Sequence, residues 1–366
     1  MGIDGRSLAG EGPGRGVAHY TSALLGALAE RWPDDEWHVL IAGATPASAP
    51  AASNVFVHRT RGSSRLVHAA SATLRRPRLD RLLDTAPDVF WAPSAAPLAI
   101  SREVPLVLTV HDLSWEQRPG DFTAYEHLFH RVARPRALAR RAARVMTDTD
   151  ATRTAAVGAW GLEPDRVAVV PCGVAPRAES SADEVDAARL RCGLPSRFLL
   201  FVGALEPRKA PDALVRAFAR ARSAGLDADL AIVGEGRLGP SLAGPGVHLL
   251  GTVDHPTRDA LYSGALALVL PSLLEGFGFP PLEALSAGTA PVVTDLAVYD
   301  ETLGEGALRV KPGDDHALSD ALLRIAADPE LRAELVRRGR ASIAALTWER
   351  AAEEARGVLA AAAGVP

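Results

Sequence analysis

Cysteine is nearly absent: Cys172 and Cys192 are the only two in 366 residues. Two thiols are too few for a disulfide framework or a four-cysteine zinc site, and they point to a reducing compartment, the cytoplasm. No run of about 20 apolar residues occurs, so no segment is expected to cross a bilayer. No apolar stretch precedes the first charges, Asp4 and Arg6, so no secretory signal is expected either. There is no excess of positive charge, because 40 Lys and Arg stand against 44 Asp and Glu. That excludes a global field for gripping a nucleic-acid backbone, so nucleic acid is not an expected partner. Lysine itself is scarce, Lys209 and Lys311 being the only two among the 40 basic residues. Each therefore invites a reason. What remains is an ordinary globular composition, 48% hydrophobic and 23% charged. The chain is longer than one core usually grows, so two domains are expected.

Short valine-rich runs alternate with helical stretches, the pattern of parallel strands wrapped by helices. The first half offers Gly2-Ile3, Trp37–Ala42, Val55–His58, Val89–Trp91, Leu106–Val110, Val145–Thr147 and Val167–Val170. The second offers Phe198–Val202, Leu230–Val233, His248–Leu250, Ala267–Leu270, Ala290–Val293 and Leu308–Val310. One covering helix is expected over Tyr125–Arg144, kinked at Pro135. Ala175–Pro195 reads as a linker, and Trp348 to Ala363 as a final helix. The fold class is α/β, two doubly wound domains in tandem, with ligands beyond the carboxyl ends of the strands and the natural site in an interdomain cleft.

The strongest local pattern is Leu274-Glu275-Gly276-Phe277-Gly278-Phe279-Pro280-Pro281-Leu282-Glu283. It follows a strand and opens a helix near Pro280. Gly276 and Gly278 let backbone approach a ligand, and a helix start offers unpaired N–H groups to an anion. Glu275 before the loop and Glu283 in the first helical turn then bracket one ligand and accept from hydroxyls on neighbouring carbons, as on a ribose or hexose. The plainer reading is a strand-turn-helix with Glu283 favouring its helix dipole. A second pattern, Val202-Gly203-Ala204-Leu205-Glu206-Pro207-Arg208-Lys209, also lies between strand and helix. Arg208 suits bidentate phosphate contact and Lys209 a point charge, so together they would neutralise a departing diphosphate; the alternative is a solvated turn.

Other features are weaker. Gly10-Glu11-Gly12-Pro13-Gly14-Arg15-Gly16 imitates a dinucleotide fingerprint but lacks the following acidic residue, and reads better as a flexible loop. His111, after a strand, is either a site imidazole or a satisfied buried histidine. Asp148-Thr149-Asp150 resembles the Asp-x-Asp metal signature of some nucleotide-sugar enzymes, although a capping role for Asp150 is preferred. Arg131, Arg134, Arg136, Arg140, Arg141 and Arg144 crowd one helix, with Arg75, Arg76, Arg78 and Arg81 upstream. They form a face for anionic lipid or an acidic acceptor, or simply a solvated face; peripheral membrane contact stays open on that basis. Trp115, Tyr125, Phe129 and Trp160 are read as core.

These residues carry a resemblance. Glu275 and Glu283 with seven residues between them, the Gly-Phe-Gly-Phe-Pro-Pro loop and Glu-Pro-Arg-Lys after Val-Gly resemble the retaining glycosyltransferases of family 4, with the GT-B fold of two facing Rossmann-like domains. Gly16-Val17-Ala18-His19-Tyr20, Thr109-Val110-His111-Asp112-Leu113, Val170-Pro171-Cys172-Gly173-Val174, Val233-Gly234-Glu235-Gly236 and Thr347-Trp348-Glu349-Arg350-Ala351-Ala352 extend it over nearly the whole chain. The resemblance implies an acceptor-side domain over 1–174, a nucleotide-sugar-binding domain over 175–345, and a helix over 346–366 that returns to the first domain. It implies that Glu275 meets the donor sugar, Glu283 the ribose, Arg208 and Lys209 the diphosphate, and His111 the reaction centre. Gly203, Gly276, Phe277, Gly278, Phe279 and Pro280 would line the donor, and Gly16 would approach its phosphates. It further implies transfer from a nucleoside diphosphate sugar, GDP-mannose first, to an acceptor hydroxyl on a lipid, polysaccharide or small natural product, with no metal and no cofactor. Location at the cytoplasm or its membrane face follows. An epimerase or phosphorylase on a similar scaffold, and a sugar-nucleotide-binding subunit without activity, are the competing readings. Ala18 stands where the family often has a second glycine, and Ala175 where it often has Asp.

Overall fold

Apolar strands flanked by helices build two parallel sheets in this computed structural model, which describes residues 1–9, 16–43, 48–60 and 64–365, without the side chains at 64, 65, 68 and 72. The chain divides into two compact units, Met1–Gly173 with Leu346–Pro366, and Val174–Ala345. The glycine-rich segment Gly10–Arg15 lies outside the described residues.

In the first unit the strands are β1 (Gly2–Asp4), β2 (Trp37–Ala42), β3 (Val55–Thr60), β4 (Phe90–Ala92), β5 (Leu106–Val110), β6 (Arg144–Thr147) and β7 (Val167–Val169). They pair in parallel in the order β3-β2-β1-β4-β5-β6-β7. β2 and β5 are buried along their whole length while the edge strand β3 is half-exposed, as sequence runs covered on both faces require. The helices are α1 (Gly16–Arg31), α2 (Ser64–Leu74), α3 (Ser114–Gln117), α4 (Ala124–Ala133), α5 (Pro135–Arg141) and α6 (Asp150–Trp160).

The expected single kinked helix over Tyr125–Arg144 is in fact two. Arg134 adopts φ 52° and closes α4, and Pro135 opens α5. The residue before a proline is driven out of the helical region, and a proline without N–H is suited to a first turn. The arginines therefore do not share one face: Arg140 Nε donates to the Trp160 carbonyl at 3.0 Å and Arg141 Nη2 to the Ser101 carbonyl at 2.7 Å. Tyr125 is also not core, being 68% exposed, whereas Trp160 is fully buried.

In the second unit α7 (Ala182–Arg191) precedes β8 (Phe198–Val202), α8 (Pro211–Ser223), β9 (Asp229–Val233), β10 (Val247–Gly251), α9 (His255–Gly264) and β11 (Leu268–Leu270). Then come α10 (Phe279–Ser286), β12 (Pro291–Thr294), α11 (Val298–Thr302), β13 (Leu308–Val310), α12 (Asp315–Ala327) and α13 (Pro329–Ile343). The parallel order is β10-β9-β8-β11-β12-β13. Along β8 the side chains alternate between two cores: Leu199 and Phe201 pack with Phe218, Ile232 and Val269, while Phe198 and Leu200 pack with Tyr262 and Leu268. The stretch read as a linker is not featureless, because α7 lies inside it. Ser181 and Glu184 cap that helix reciprocally, each side chain receiving the other's backbone N–H.

The last helix, α14 (Trp348–Ala363), belongs to the first unit, where it packs along α1. Its first residue is seated by a glycine. A Cβ on Gly173 would lie 2.3 Å from the Trp348 backbone nitrogen. The indole sits edge-on to His19, with ring centres 5.9 Å apart.

Candidate active site

Both sheets reverse their strand order once, between β1 and β4 in the first unit and between β8 and β11 in the second. Such reversals open a crevice beyond the strand ends, where ligands of doubly wound folds sit. In the second unit the two strands that flank the reversal lead directly into the two sequence patterns. The loop after β8 runs through Gly203 to a short turn at Pro207–Lys209, and the loop after β11 runs through Glu275 to Gly278. The backbone ties them together, with the Leu273 N–H donating to the Arg208 carbonyl at 2.8 Å.

Lys209 and Glu275, 66 residues apart, meet there. The ammonium donates to both carboxylate oxygens, at 2.5 Å to Oε1 and 2.7 Å to Oε2. Ser272 Oγ adds a third hydrogen bond to the carboxylate, donating to Oε1 at 2.6 Å. Only 11% of the lysine side chain and 5% of the glutamate side chain reach solvent. Desolvation makes such a pair a poor source of stability, since well-packed apolar replacements are often neutral or better by about 1–4 kcal/mol. Arg208 remains more open, and its Nε donates to Glu206 at 3.1 Å. Lys311, the other lysine, lies exposed beyond β13 and takes no part in this cluster.

Gly278 caps α10 with φ 86°, a left-handed conformation that glycine adopts without strain. As a glycine it brings no capping side chain of its own to that helix start. Phe277 is buried, and its ring centre lies 5.1 Å from that of Phe279. Glu283 falls in the second turn of α10, not the first, so it does not face the dipole end as the simplest reading had it. It is instead held from two sides: Arg177 Nη2 donates to Oε1 at 2.8 Å and Tyr262 Oη to Oε2 at 2.8 Å. Burial, and then the charge of Glu283, push the Tyr262 phenol well above its ordinary pKa, so it stays a donor. Each carboxylate oxygen keeps a second lone pair for an incoming hydroxyl. Arg177 also pairs with Asp259, and its own backbone N–H donates to Ser286 Oγ at 2.9 Å. Sequence reasoning missed Arg177 and Tyr262; nothing in their spacing links them to Glu283.

In the first unit His111 stands just past β5. Its Nδ1 lies 2.7 Å from Asp148 Oδ2 and its Nε2 2.8 Å from the Pro93 carbonyl. Burial lowers the imidazole pKa, but Asp148's charge and hydrogen bond, the Pro93 carbonyl and Asp112 together outweigh it and raise the value above 6.5. Both partners only accept, so a ring carrying both protons satisfies both contacts. Asp148 is thus the partner of His111. Asp150 is not a cap: Thr149 takes that position on α6, its hydroxyl accepting from the Thr152 N–H. Asp150 lies on the surface beside Arg153. Cys172 and Cys192 are both free thiols, and burial with the nearby charge of Asp148 pushes the Cys172 thiol up, away from reactivity. Gly16 is exposed at the start of α1.

A model of glycosyltransferase family 4 matches residues 14–177, and a model of the group 1 glycosyl transferases matches residues 187–342. The chain belongs to the family 4 glycosyltransferases. Among relatives of this family member, the D-inositol 3-phosphate glycosyltransferase of Actinosynnema mirum is 32% identical over 278 residues, 68% of this chain and 65% of that one. The D-inositol 3-phosphate glycosyltransferase of Acidothermus cellulolyticus is 34% identical over 240 residues, so the match spans about half, 52%, of its length. The O-antigen chain mannosyltransferase RfbU of Salmonella typhimurium is 46% identical over 70 residues, a fifth of each chain. Solved structures share the fold. Anabaena HepE, in complex with UDP and glucose, has a TM-score of 0.73 at 19% identity and covers 98% of both chains. WaaG, a glycosyltransferase involved in lipopolysaccharide biosynthesis, has a TM-score of 0.74 at 17% identity over 98% of this chain. The fold of this family member is therefore GT-B. No helix among the described residues is long and apolar enough to cross a membrane.

Proposed function

We propose that this family 4 member is a retaining hexosyltransferase that moves a sugar from a nucleoside diphosphate to an acceptor hydroxyl. The observation that carries the reading is the Lys209–Glu275 pair where the loops after β8 and β11 meet, with a glycine-capped helix start on the same loop. As the bond from the anomeric carbon to the diphosphate lengthens, negative charge grows on the leaving oxygens. Lys209, Arg208 and the α10 amides stabilise it, so the reading requires no metal ion. Glu275 orients the sugar and Glu283, braced by Arg177 and Tyr262, takes the ribose hydroxyls. In this reading His111, held at Nδ1 by Asp148, gives its Nε2–H to the sugar in exchange for the Pro93 carbonyl. The acceptor oxygen bonds the anomeric carbon on the face the diphosphate leaves, and its proton passes to a leaving phosphate oxygen.

GDP-mannose is the first donor to test, in line with the mannosyltransferase name of RfbU. UDP sugars come next, because HepE is known in complex with UDP-glucose. The acceptor belongs to the first unit in this reading, and the enzyme to the cytoplasm, where its two thiols stay reduced. The test is to incubate the purified protein with GDP and UDP sugars and to follow the released nucleotide and the anomeric proton of the product by NMR. Release of a nucleoside diphosphate with the donor's anomeric configuration kept is the expected result. An altered sugar still attached to its nucleotide would indicate an epimerase, and binding without release a non-catalytic subunit; either overturns the proposal.

A further inference from the structure

Tyr299, on α11, is fully buried, and its hydroxyl has no hydrogen-bond partner among the described residues. Phenylalanine would fill the same space without stranding a polar group, and buried hydroxyls in folded proteins are almost always paired. The position of the ring says what the hydroxyl is near. A Cβ on Gly278 would fall 2.7 Å from Tyr299 Cε1 and 3.5 Å from its Oη, so the ring is the seat on which the left-handed turn of the glutamate loop rests. Burial, and after it the charge of Glu275, push the phenol well above its ordinary pKa, so it keeps its proton and can only be useful as a donor or a neutral acceptor.

Glu275 stands to lose a donor. Lys209 spans both of its oxygens, and Ser272 serves Oε1 alone. A diphosphate that draws Lys209 toward itself leaves Oε2 without its only side-chain donor among the described residues, in a place where 5% of the side chain reaches solvent. Water cannot readily repair that loss, and a buried carboxylate oxygen short of a donor is costly. We propose that Tyr299 is a positioning residue for Glu275: its ring fixes the Gly278 turn, and its hydroxyl takes over the carboxylate when a diphosphate engages Lys209. The inference rests on the donor reading above and adds the device that keeps Glu275 aimed while its lysine is occupied elsewhere.

Tyr299→Phe keeps the ring and removes only the oxygen. Calorimetric titration of the wild-type protein and this variant with GDP and with UDP, together with the Tm of each unliganded protein, tests the idea. The unliganded variant is expected to melt at or above the wild-type temperature, because it loses a stranded hydroxyl. Its affinity for the better nucleotide is expected to fall about tenfold. In a Glu275→Gln background the same substitution is expected to change affinity by less than about twofold, since the charge to be held is gone. Equal affinity of wild type and Tyr299→Phe overturns this inference alone, as does an undiminished effect in the Glu275→Gln background. A Tm several degrees below wild type overturns it too, because the hydroxyl then has a structural partner. Failure of the wild-type protein to bind either nucleotide overturns the donor reading and this inference with it.

Discussion

His111 is held by acceptors at both ring nitrogens, Asp148 on one side and the Pro93 carbonyl on the other. Its folded pKa therefore lies above the unfolded value of 6.5 despite burial. A group shifted upward stabilises the fold fully below its unfolded pKa and loses that contribution as pH rises through its folded pKa. Asp148→Asn preserves the shape and removes the charge, so the wild-type advantage in Tm is predicted to be largest near pH 6 and to shrink toward pH 9. A gap that stays constant over that range would show that the imidazole charge does not matter. The same residue marks what sequence could disclose at this scale. Its place after a strand was legible, and so were Lys209 and Glu275, because strand ends and a scarce residue type are visible in one dimension. The pairings were not: Asp148 lies 37 residues from His111, Glu275 lies 66 from Lys209, and Arg177 lies 106 from Glu283. Only the folded sheet order brings such pairs together. Tyr299 carried no signal at all, since a buried tyrosine looks like core until its hydroxyl is found without a partner among the described residues.

Element boundaries reflect local chemistry, and where the reading failed a local rule had been passed over. Ser181-Ala182-Asp183-Glu184 is a capping box, and it was the available sign that the presumed linker holds α7. Pro135 is preceded by a residue in the left-handed region, so it begins a helix where a kink had been expected. Thr149, one residue ahead of Asp150, is in the extended conformation that a cap requires. Strands fared better, because a valine-rich run covered on both faces has few alternatives; β2, β5, β8 and β13 begin and end where the sequence places them. One exacting contact between elements is that of α14 with Gly173. An added methyl would fall 2.3 Å from the Trp348 nitrogen and 2.5 Å from its ring, so α14 must shift. Gly173→Ala is predicted to destabilise the first unit by about 2–3 kcal/mol, an overpacking cost that relaxation elsewhere cannot remove. Chemical denaturation followed by tryptophan fluorescence measures it, and a midpoint equal to wild type would mean that the glycine is not a seat for the helix.

At the scale of the whole molecule, the alternation of strand and helix was enough to predict two doubly wound units, and both sheets have the reversal that such folds use for ligands. Charge is local rather than global. The chain carries a formal net charge of −4, yet the second unit places Arg208 and Lys209 beside its strand-order reversal. The account stands on the assignment of that place to a diphosphate. Titrating wild-type protein and Lys209→Ala with GDP and UDP by isothermal calorimetry tests it most directly, with circular dichroism confirming that the variant remains folded. Wild type is predicted to bind one of the two nucleotides, and a folded Lys209→Ala to bind it at least about tenfold more weakly, the loss of one charge-assisted phosphate contact. Equal binding by the two proteins, or no binding of either nucleotide to wild type, would contradict the account.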